Sequence, residues 1–78
     1  MVDFVPVYRL SPGQTARIAR LEGDPRHVHR LNEFGLHLGT PIQMFRPGNP
    51  CIIRMAGSKI CLRADRSLNV LVKPADAL

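Results

Sequence analysis

Hydrophobic and polar residues alternate with period two in several stretches of the chain, which is typical of β-strands with one buried face. Between residues 14 and 21, Ala16 and Ile18 fall on one side of the chain and Arg17 on the other. A shorter alternation over residues 5–10 leads into the first turn. The same pattern predicts four further strands, over residues 40–44, 51–55, 58–62 and 68–72, with a frayed tail after them.

One segment, about residues 24–34, follows a helical period instead. Asp24 can cap the free N–H groups at a helix start, and Pro25 suits the first helical position because it has no N–H to offer. Apolar residues then recur at a spacing of three and predict a stripe that faces the core. This stripe, in which we expect the last residue to be buried, consists of Val28, Leu31 and Phe34.

The end of this helix is marked by Gly35. If Phe34 is the last helical residue, Gly35 takes the following position, where a left-handed conformation costs glycine little. Leu31 and Leu36 then form the apolar pair that accompanies a Schellman cap. Gly39 allows a second tight turn before the next strand.

The hairpin between residues 51–55 and 58–62 is expected to turn around Ala56-Gly57-Ser58. We predict that Met55 pairs with Ile60 and Ile53 with Leu62, with these four side chains on the core face. About five short strands and one helix, inserted after the first long strand, favour a mostly β fold, a small partly open barrel.

The signature of the helix exit, Leu31-x-x-Phe34-Gly35-Leu36-x-x-Gly39-Thr40, resembles that of the FeoA family. Residues 10–18 resemble the opening turn and strand of that family, and residues 49–57 with 60–63 resemble its closing hairpin. The match runs from about residue 10 to about residue 72. The residues that carry the structural signature are Gly13, Leu31, Phe34, Gly35, Leu36, Gly39 and Gly57.

The resemblance implies an SH3-like barrel that serves as a cytoplasmic accessory protein of bacterial ferrous-iron uptake. It also implies a partner, the membrane ferrous-iron transporter FeoB, which would be bound at its cytoplasmic nucleotide-binding part. The same barrel resembles the accessory domain of metal-dependent repressors, so a nucleic-acid-binding or regulator module is the alternative. We expect one domain over residues 1–78, with an ordered core of about 5–73 and a monomeric state.

The chain carries 11 Lys and Arg against 6 Asp and Glu, a formal charge of +5, which favours anionic partners. The basic residues do not cluster, and with Phe34 buried few aromatic residues remain for base stacking, so we expect no nucleic-acid partner. No apolar run approaches the roughly 18 residues that span a bilayer. The N-terminus also has an acidic residue, Asp3, where a signal peptide would be basic. We expect a cytoplasmic protein without membrane insertion.

The titratable residues do not suggest a metal site. His27 and His29 are two residues apart, which on a helix separates their side chains by about 200°, whereas helical zinc ligands are four apart. We expect His37 to be solvated in the loop. Cys51 should face inward and Cys61 outward beside Arg54. At about 3.3 Å per residue they would lie roughly 10 Å apart, too far for a disulfide.

We therefore predict two free thiols, no metal site and no cofactor. Catalysis needs a nucleophile with a positioned base, or paired carboxylates that flank a cleft. Neither arrangement is visible in the sequence. A chain of 78 residues also has little room for a deep cavity. We predict that the protein is not an enzyme.

A protein without a catalytic cleft acts through its surface, and the periodicity exposes two candidate partner-binding faces. Solvated charge explains each basic residue equally well when it is taken singly. Ile52 is the exception, because it would be an aliphatic side chain held outside the sheet between arginines. The helix side bears Arg26, His29 and Arg30, and the outer hairpin side bears Ile52, Arg54 and Arg63.

Overall fold

The structure, a computed structural model, describes residues 4–63 and 68–75. Over these residues the fold is mostly β, and one helix follows the first long strand, as predicted. In chain order the elements are β1 (Val5–Pro6), a 3-10 turn (Val7–Arg9), β2 (Thr15–Gly23), α1 (Pro25–Glu33), β3 (Pro41–Arg46), β4 (Cys51–Met55), β5 (Ser58–Leu62) and β6 (Leu68–Pro74). The predicted turn after β5 lies largely outside the described residues.

The strands form one antiparallel sheet in the order β1-β6-β2-β3-β4-β5. The sheet is the partly open barrel that the alternation predicts, with the two-residue β1 added to the five longer strands. β2 lies near its centre, and the register of β2 against β6 shifts between Ile18 and Arg20. Such a bulge bends a strand and helps the sheet to curl around a core. Among the strands of the described residues, β5 has a partner on one side only.

The core consists of the inward-facing residues of the strands together with residues of α1 and the loop that follows it. No polar or charged residue is buried in the described part of the chain. The largest fully buried side chains belong to Ile18, Leu36, Met44, Ile53, Val7, Val72 and Cys51.

Both ends of α1 have the predicted local structure. At the start, the Asp24 carboxylate accepts a hydrogen bond of 2.9 Å from the Arg26 backbone N–H. Hydrogen bonds from the Arg26 side chain and backbone hold the pKa of Asp24 below its usual value. At the end, Gly35 has φ +97° and Leu36 donates its N–H to the Leu31 carbonyl at 3.0 Å. These features define the Schellman cap.

The rest of the signature attaches this helix exit to the sheet. The Gly39 N–H donates to the Ile18 carbonyl at 2.7 Å, and the Ile18 N–H donates to the Thr40 carbonyl at 3.0 Å. The Thr40 hydroxyl donates to the Gly35 carbonyl at 3.3 Å and accepts the His37 N–H at 3.0 Å. These signature residues therefore connect the end of α1 to β2 by hydrogen bonds, and this role is structural.

Replacing Gly35 with alanine is expected to lower the free energy of unfolding by about 1 kcal/mol or more. A Cβ at φ +97° is strained, and it would lie 3.4 Å from the Met55 Cε atom. Chemical denaturation measures the loss, and an unchanged midpoint would contradict the cap. Gly13→Ala is a useful comparison, because φ there is +84° but no atom lies within 4 Å of the added Cβ.

Two expectations about apolar residues are wrong. Phe34 is 61% exposed instead of buried. Each step of three residues on a helix falls about 60° short of a full turn, so a stripe with this spacing gradually turns away from the core. Phe34 is also the cap residue of α1, where the chain leaves the core. In the N-terminal segment, Val7 and Leu10 are buried through a 3-10 turn, whose period of three replaces the expected alternation.

The hairpin register also differs from the prediction by two residues. Met55 pairs with Ser58 and Ile53 with Ile60, because the turn contains only two residues, Ala56 and Gly57. Both have positive φ, 50° and 82°, as a tight hairpin turn requires. The shift by an even number leaves the two faces of β4 and β5 as predicted. The pairing of Arg54 with Cys61 is wrong, since Arg54 pairs with Lys59.

The last strand is longer than predicted. β6 continues through Lys73 and Pro74, which pair with Arg17 and Ala16 of β2. The Ala75 N–H then donates to the Thr15 carbonyl at 3.0 Å. Proline is tolerated here because it stands at the end of the strand.

Candidate protein-binding surface

The outer face of β3, β4 and β5 holds an exposed aromatic ring that two cations contact. Phe45 is 43% exposed. The Lys59 Nζ atom lies 4.0 Å from the centroid of its ring, and the Arg54 Cζ atom lies 4.9 Å from it. We call Phe45, Arg54 and Lys59, with the neighbouring Ile52, the basic-aromatic face.

The alternation of β3 places the ring there. Ile42 and Met44 are buried, so Phe45 points to the other side of the sheet. The β3–β4 register shifts between Met44 and Arg46, which places Phe45 at a bulge, a feature that re-aims side chains. Arg54 and Lys59 are cross-strand partners in the hairpin, so both cations reach the ring from neighbouring strands.

The contacts give this face a defined shape and charge. Each cation–π contact is worth about 0.5–1 kcal/mol at an exposed site, and it holds a long basic side chain against the ring. No carboxylate forms an ion pair with Arg54 or Lys59 among the described residues. An apolar centre with uncompensated positive charge fits an acidic protein surface.

Ile52 lies on this outer face, but it is half-buried and not the freely exposed side chain that we expected. Its strand neighbours are Arg46 on β3 and Cys61 on β5. β4 is flanked by strands on both sides, so adjacent side chains cover part of Ile52. Ile52 and Phe45 therefore form the apolar centre of the surface together.

The two predicted basic faces are not separate, because Arg63 and Arg30 line the same groove. This groove runs between α1 and β5 and has a volume of about 290 Å3. Phe34 and Ile60 supply apolar walls. We call it the α1–β5 groove.

The other two residues proposed on the helix side are occupied by local ion pairs. Arg26 contacts the Asp24 carboxylate at 3.1 Å. His29 lies 3.8 Å from the Glu33 carboxylate, one helical turn away. Both pairs are exposed and worth little individually. They nevertheless reduce the positive charge that this side of α1 presents to a partner.

Phe45 and Lys59 belong to the surface although sequence reasoning did not select them. The alternation that buries Ile42 and Met44 also exposes Phe45, so a signal was present. The position of Lys59 beside the ring could be predicted only if the hairpin turn was known to contain two residues, because that turn length pairs Lys59 with Arg54.

The cysteines lie on opposite faces of the hairpin, as predicted. Along the paired strands they are closer to each other than the prediction had them. Cys51 pairs with Leu62, the residue after Cys61, and both cysteines are free thiols. Cys51 is 1% exposed, and burial raises the pKa of its thiol above the usual value. Cys61 is exposed.

In the native protein, Cys61 is expected to react with a thiol reagent much faster than Cys51. The thiolate is the reactive species, and burial both shields Cys51 and disfavours its charged form. Mass spectrometry of the labelled peptides gives the two rates, and denaturation should make both thiols reactive. Equal native rates would contradict the opposite orientations of the two side chains.

The described residues contain no group of three or more His, Cys, Asp or Glu that could hold a metal ion. His37, which we expected to be solvated, is exposed, and its backbone N–H bonds to the Thr40 hydroxyl. Among residues 4–63 and 68–75 there is no helix with the length and hydrophobicity of a membrane span.

Over the described residues, the curled antiparallel sheet with one helix at its side forms a small SH3-like barrel. The family model described as the FeoA domain matches residues 5–74. This chain belongs to the FeoA family, and that membership supports a role in the Feo system of ferrous-iron uptake.

A solved structure has the same fold. The crystal structure described as iron uptake regulatory protein (FeoA) matches with a TM-score of 0.80. The match covers 94% of this chain and 100% of that one, at 23% sequence identity. No curated protein matches the sequence.

Proposed function

We propose that this protein is a cytoplasmic accessory protein of bacterial ferrous-iron uptake that acts by binding the FeoB transporter. Membership of the FeoA family supports the iron-uptake context. The binding mode rests on one observation, the contact of the Phe45 ring with Arg54 and Lys59 on an exposed sheet face.

The proposed contact is made by the cytoplasmic nucleotide-binding part of the transporter. An acidic patch on that part meets the two cations, and Phe45 with Ile52 supplies the apolar centre. Rim charges of this kind mainly accelerate association, whereas the central aromatic residue slows dissociation. The chain needs no reactive group of its own in this role.

Binding of this protein to the purified cytoplasmic domain of the FeoB transporter from the same organism tests the proposal. Isothermal titration calorimetry at about 50 mM and 200 mM salt should show binding that weakens as salt screens the charges. Absence of binding to this domain and to the detergent-solubilised transporter would contradict the proposal.

A nucleic-acid-binding role remains the competing function, and the exposure of Phe34 and Phe45 makes its test necessary. Phe34 follows α1 and Phe45 lies on β3, so the two rings belong to different elements and do not share one strand face. A titration with duplex and single-stranded DNA at moderate salt separates the functions. Tight, sequence-selective DNA binding would favour the alternative.

A further inference from the structure

The outer edge of β5 carries backbone groups without a strand partner. In an antiparallel pair, opposite residues alternate between hydrogen-bonded and non-bonded pairs. The two-residue turn makes Met55 and Ser58 the first bonded pair, so Lys59 and Cys61 belong to non-bonded pairs. Their N–H and C=O groups point away from β4. β5 ends the strand order, and no other described backbone group bonds to them.

The α1–β5 groove runs along this free edge. Four consecutive residues, 60–63, form one wall, and Leu31 and Phe34 of the helix side form the other. Phe34 is 61% exposed, and Ile60 is half-buried. A strand edge beside an apolar trough is the arrangement that binds extended peptides by β-strand addition, because backbone hydrogen bonds give affinity and the trough selects alternate side chains.

The charges around the groove indicate which side chains a bound peptide would carry in addition to its apolar ones. No Asp or Glu is among the described residues that line it, and Arg30 and Arg63 flank its apolar walls. Neither arginine belongs to an ion pair in the described part of the chain. Lys59 stands on the outward side of the same strand. Acidic residues at every second position of an added strand would lie on its outward side, near Lys59 and Arg63, while Arg30 adds to the positive charge around the groove.

We propose that the α1–β5 groove binds an extended segment of a partner protein in which apolar and acidic residues alternate. The segment adds to β5 through the outward backbone groups of Lys59 and Cys61. Its apolar side chains enter the groove beside Phe34, and its acidic side chains, on the opposite face of the added strand, lie near Lys59 and Arg63. This site shares Lys59 with the basic-aromatic face, through the backbone of that residue, and it goes beyond the transporter contact proposed above.

A synthetic seven-residue peptide, capped at both ends and alternating glutamate with valine or leucine, is the probe. It is titrated into the full ¹⁵N-labelled chain, and amide hydrogen exchange is followed by NMR. We expect exchange at Lys59 and Cys61 to slow by about tenfold or more at saturation, because new hydrogen bonds protect these groups. A peptide with the same residues arranged in two blocks should bind much more weakly.

Four substitutions at the site separate strand addition from charge attraction. Cys61→Pro removes one outward N–H, which an edge strand tolerates, and should weaken peptide binding by about tenfold or more. Cys61→Ala keeps the N–H and should bind as the original chain does. The charge reversals Arg30→Glu and Arg63→Glu should each weaken binding several-fold, whereas Lys73→Glu on the exposed part of β6 should not.

Unchanged exchange at Lys59 and Cys61 with the alternating peptide present would overturn the proposal. Equal binding of the block peptide would also overturn it, as would NMR chemical-shift changes centred on Phe45. If Cys61→Pro does not fold, the exchange measurement and the arginine variants decide the matter. A chain that binds the peptide but not the FeoB domain would refute only the proposed function. The reverse result would refute only the groove.

Discussion

Replacing Leu36 with alanine is expected to lower the free energy of unfolding by about 3 kcal/mol. Leu36 is 0% exposed and lies among the largest fully buried side chains of the core. It also follows Gly35 in the Schellman cap, where its N–H bonds to the Leu31 carbonyl. The substitution leaves that backbone bond intact, so the loss measures the cavity and the lost apolar burial.

Leu38 provides the matched control, because it has the same side chain two residues further on and is 68% exposed. Leu38→Ala should change stability by no more than about 0.5 kcal/mol. Urea denaturation followed by circular dichroism gives both values. Similar losses for Leu36→Ala and Leu38→Ala would mean that the loop does not place Leu36 in the core as described.

Reversing the charges of Arg54 and Lys59 together is expected to slow association with the FeoB domain by about tenfold or more at low salt. Both cations flank Phe45, and neither has a carboxylate partner among the described residues. The dependence of the association rate on salt should also flatten, because the attraction that salt screens has been removed. Stopped-flow fluorescence or surface plasmon resonance measures these rates.

Phe45→Ala should act differently, since it removes the apolar centre and leaves the charges. We expect faster dissociation with little change in association. Arg26→Glu is the control for charge on another surface, because Arg26 is engaged with Asp24 beside the helix start. If Arg26→Glu slows association as much as the Arg54 and Lys59 reversals do, net charge and not this face determines binding.

The sequence predicts the helix ends well because they depend on residues close together in the chain. Asp24 and Pro25 start α1, and Gly35 with Leu36 ends it, through contacts within a few residues. The faces of the strands are also predictable, since the period of two survives any even shift of register. This is why the prediction that Cys51 faces inward is correct although the predicted hairpin register is wrong.

The binding surfaces are less predictable because they depend on how distant segments align. Phe45 meets Lys59 only when the hairpin turns in two residues, and that requires Ala56 to adopt a positive φ that alanine seldom takes. Likewise, Arg30 and Arg63 line the same groove although one belongs to α1 and the other follows β5. No local pattern encodes that placement, so the two arginines were assigned to different faces.

Ferrous-iron uptake by cells tests the central claim most directly. A strain that lacks this protein is complemented with the original chain, the Arg54→Glu and Lys59→Glu double variant, or Lys73→Glu, at matched protein levels, and uptake of radioactive Fe²⁺ is measured. We expect the original chain and Lys73→Glu to restore uptake and the double variant to restore little. Full uptake with a folded double variant would contradict the claim that the protein acts through its basic-aromatic face.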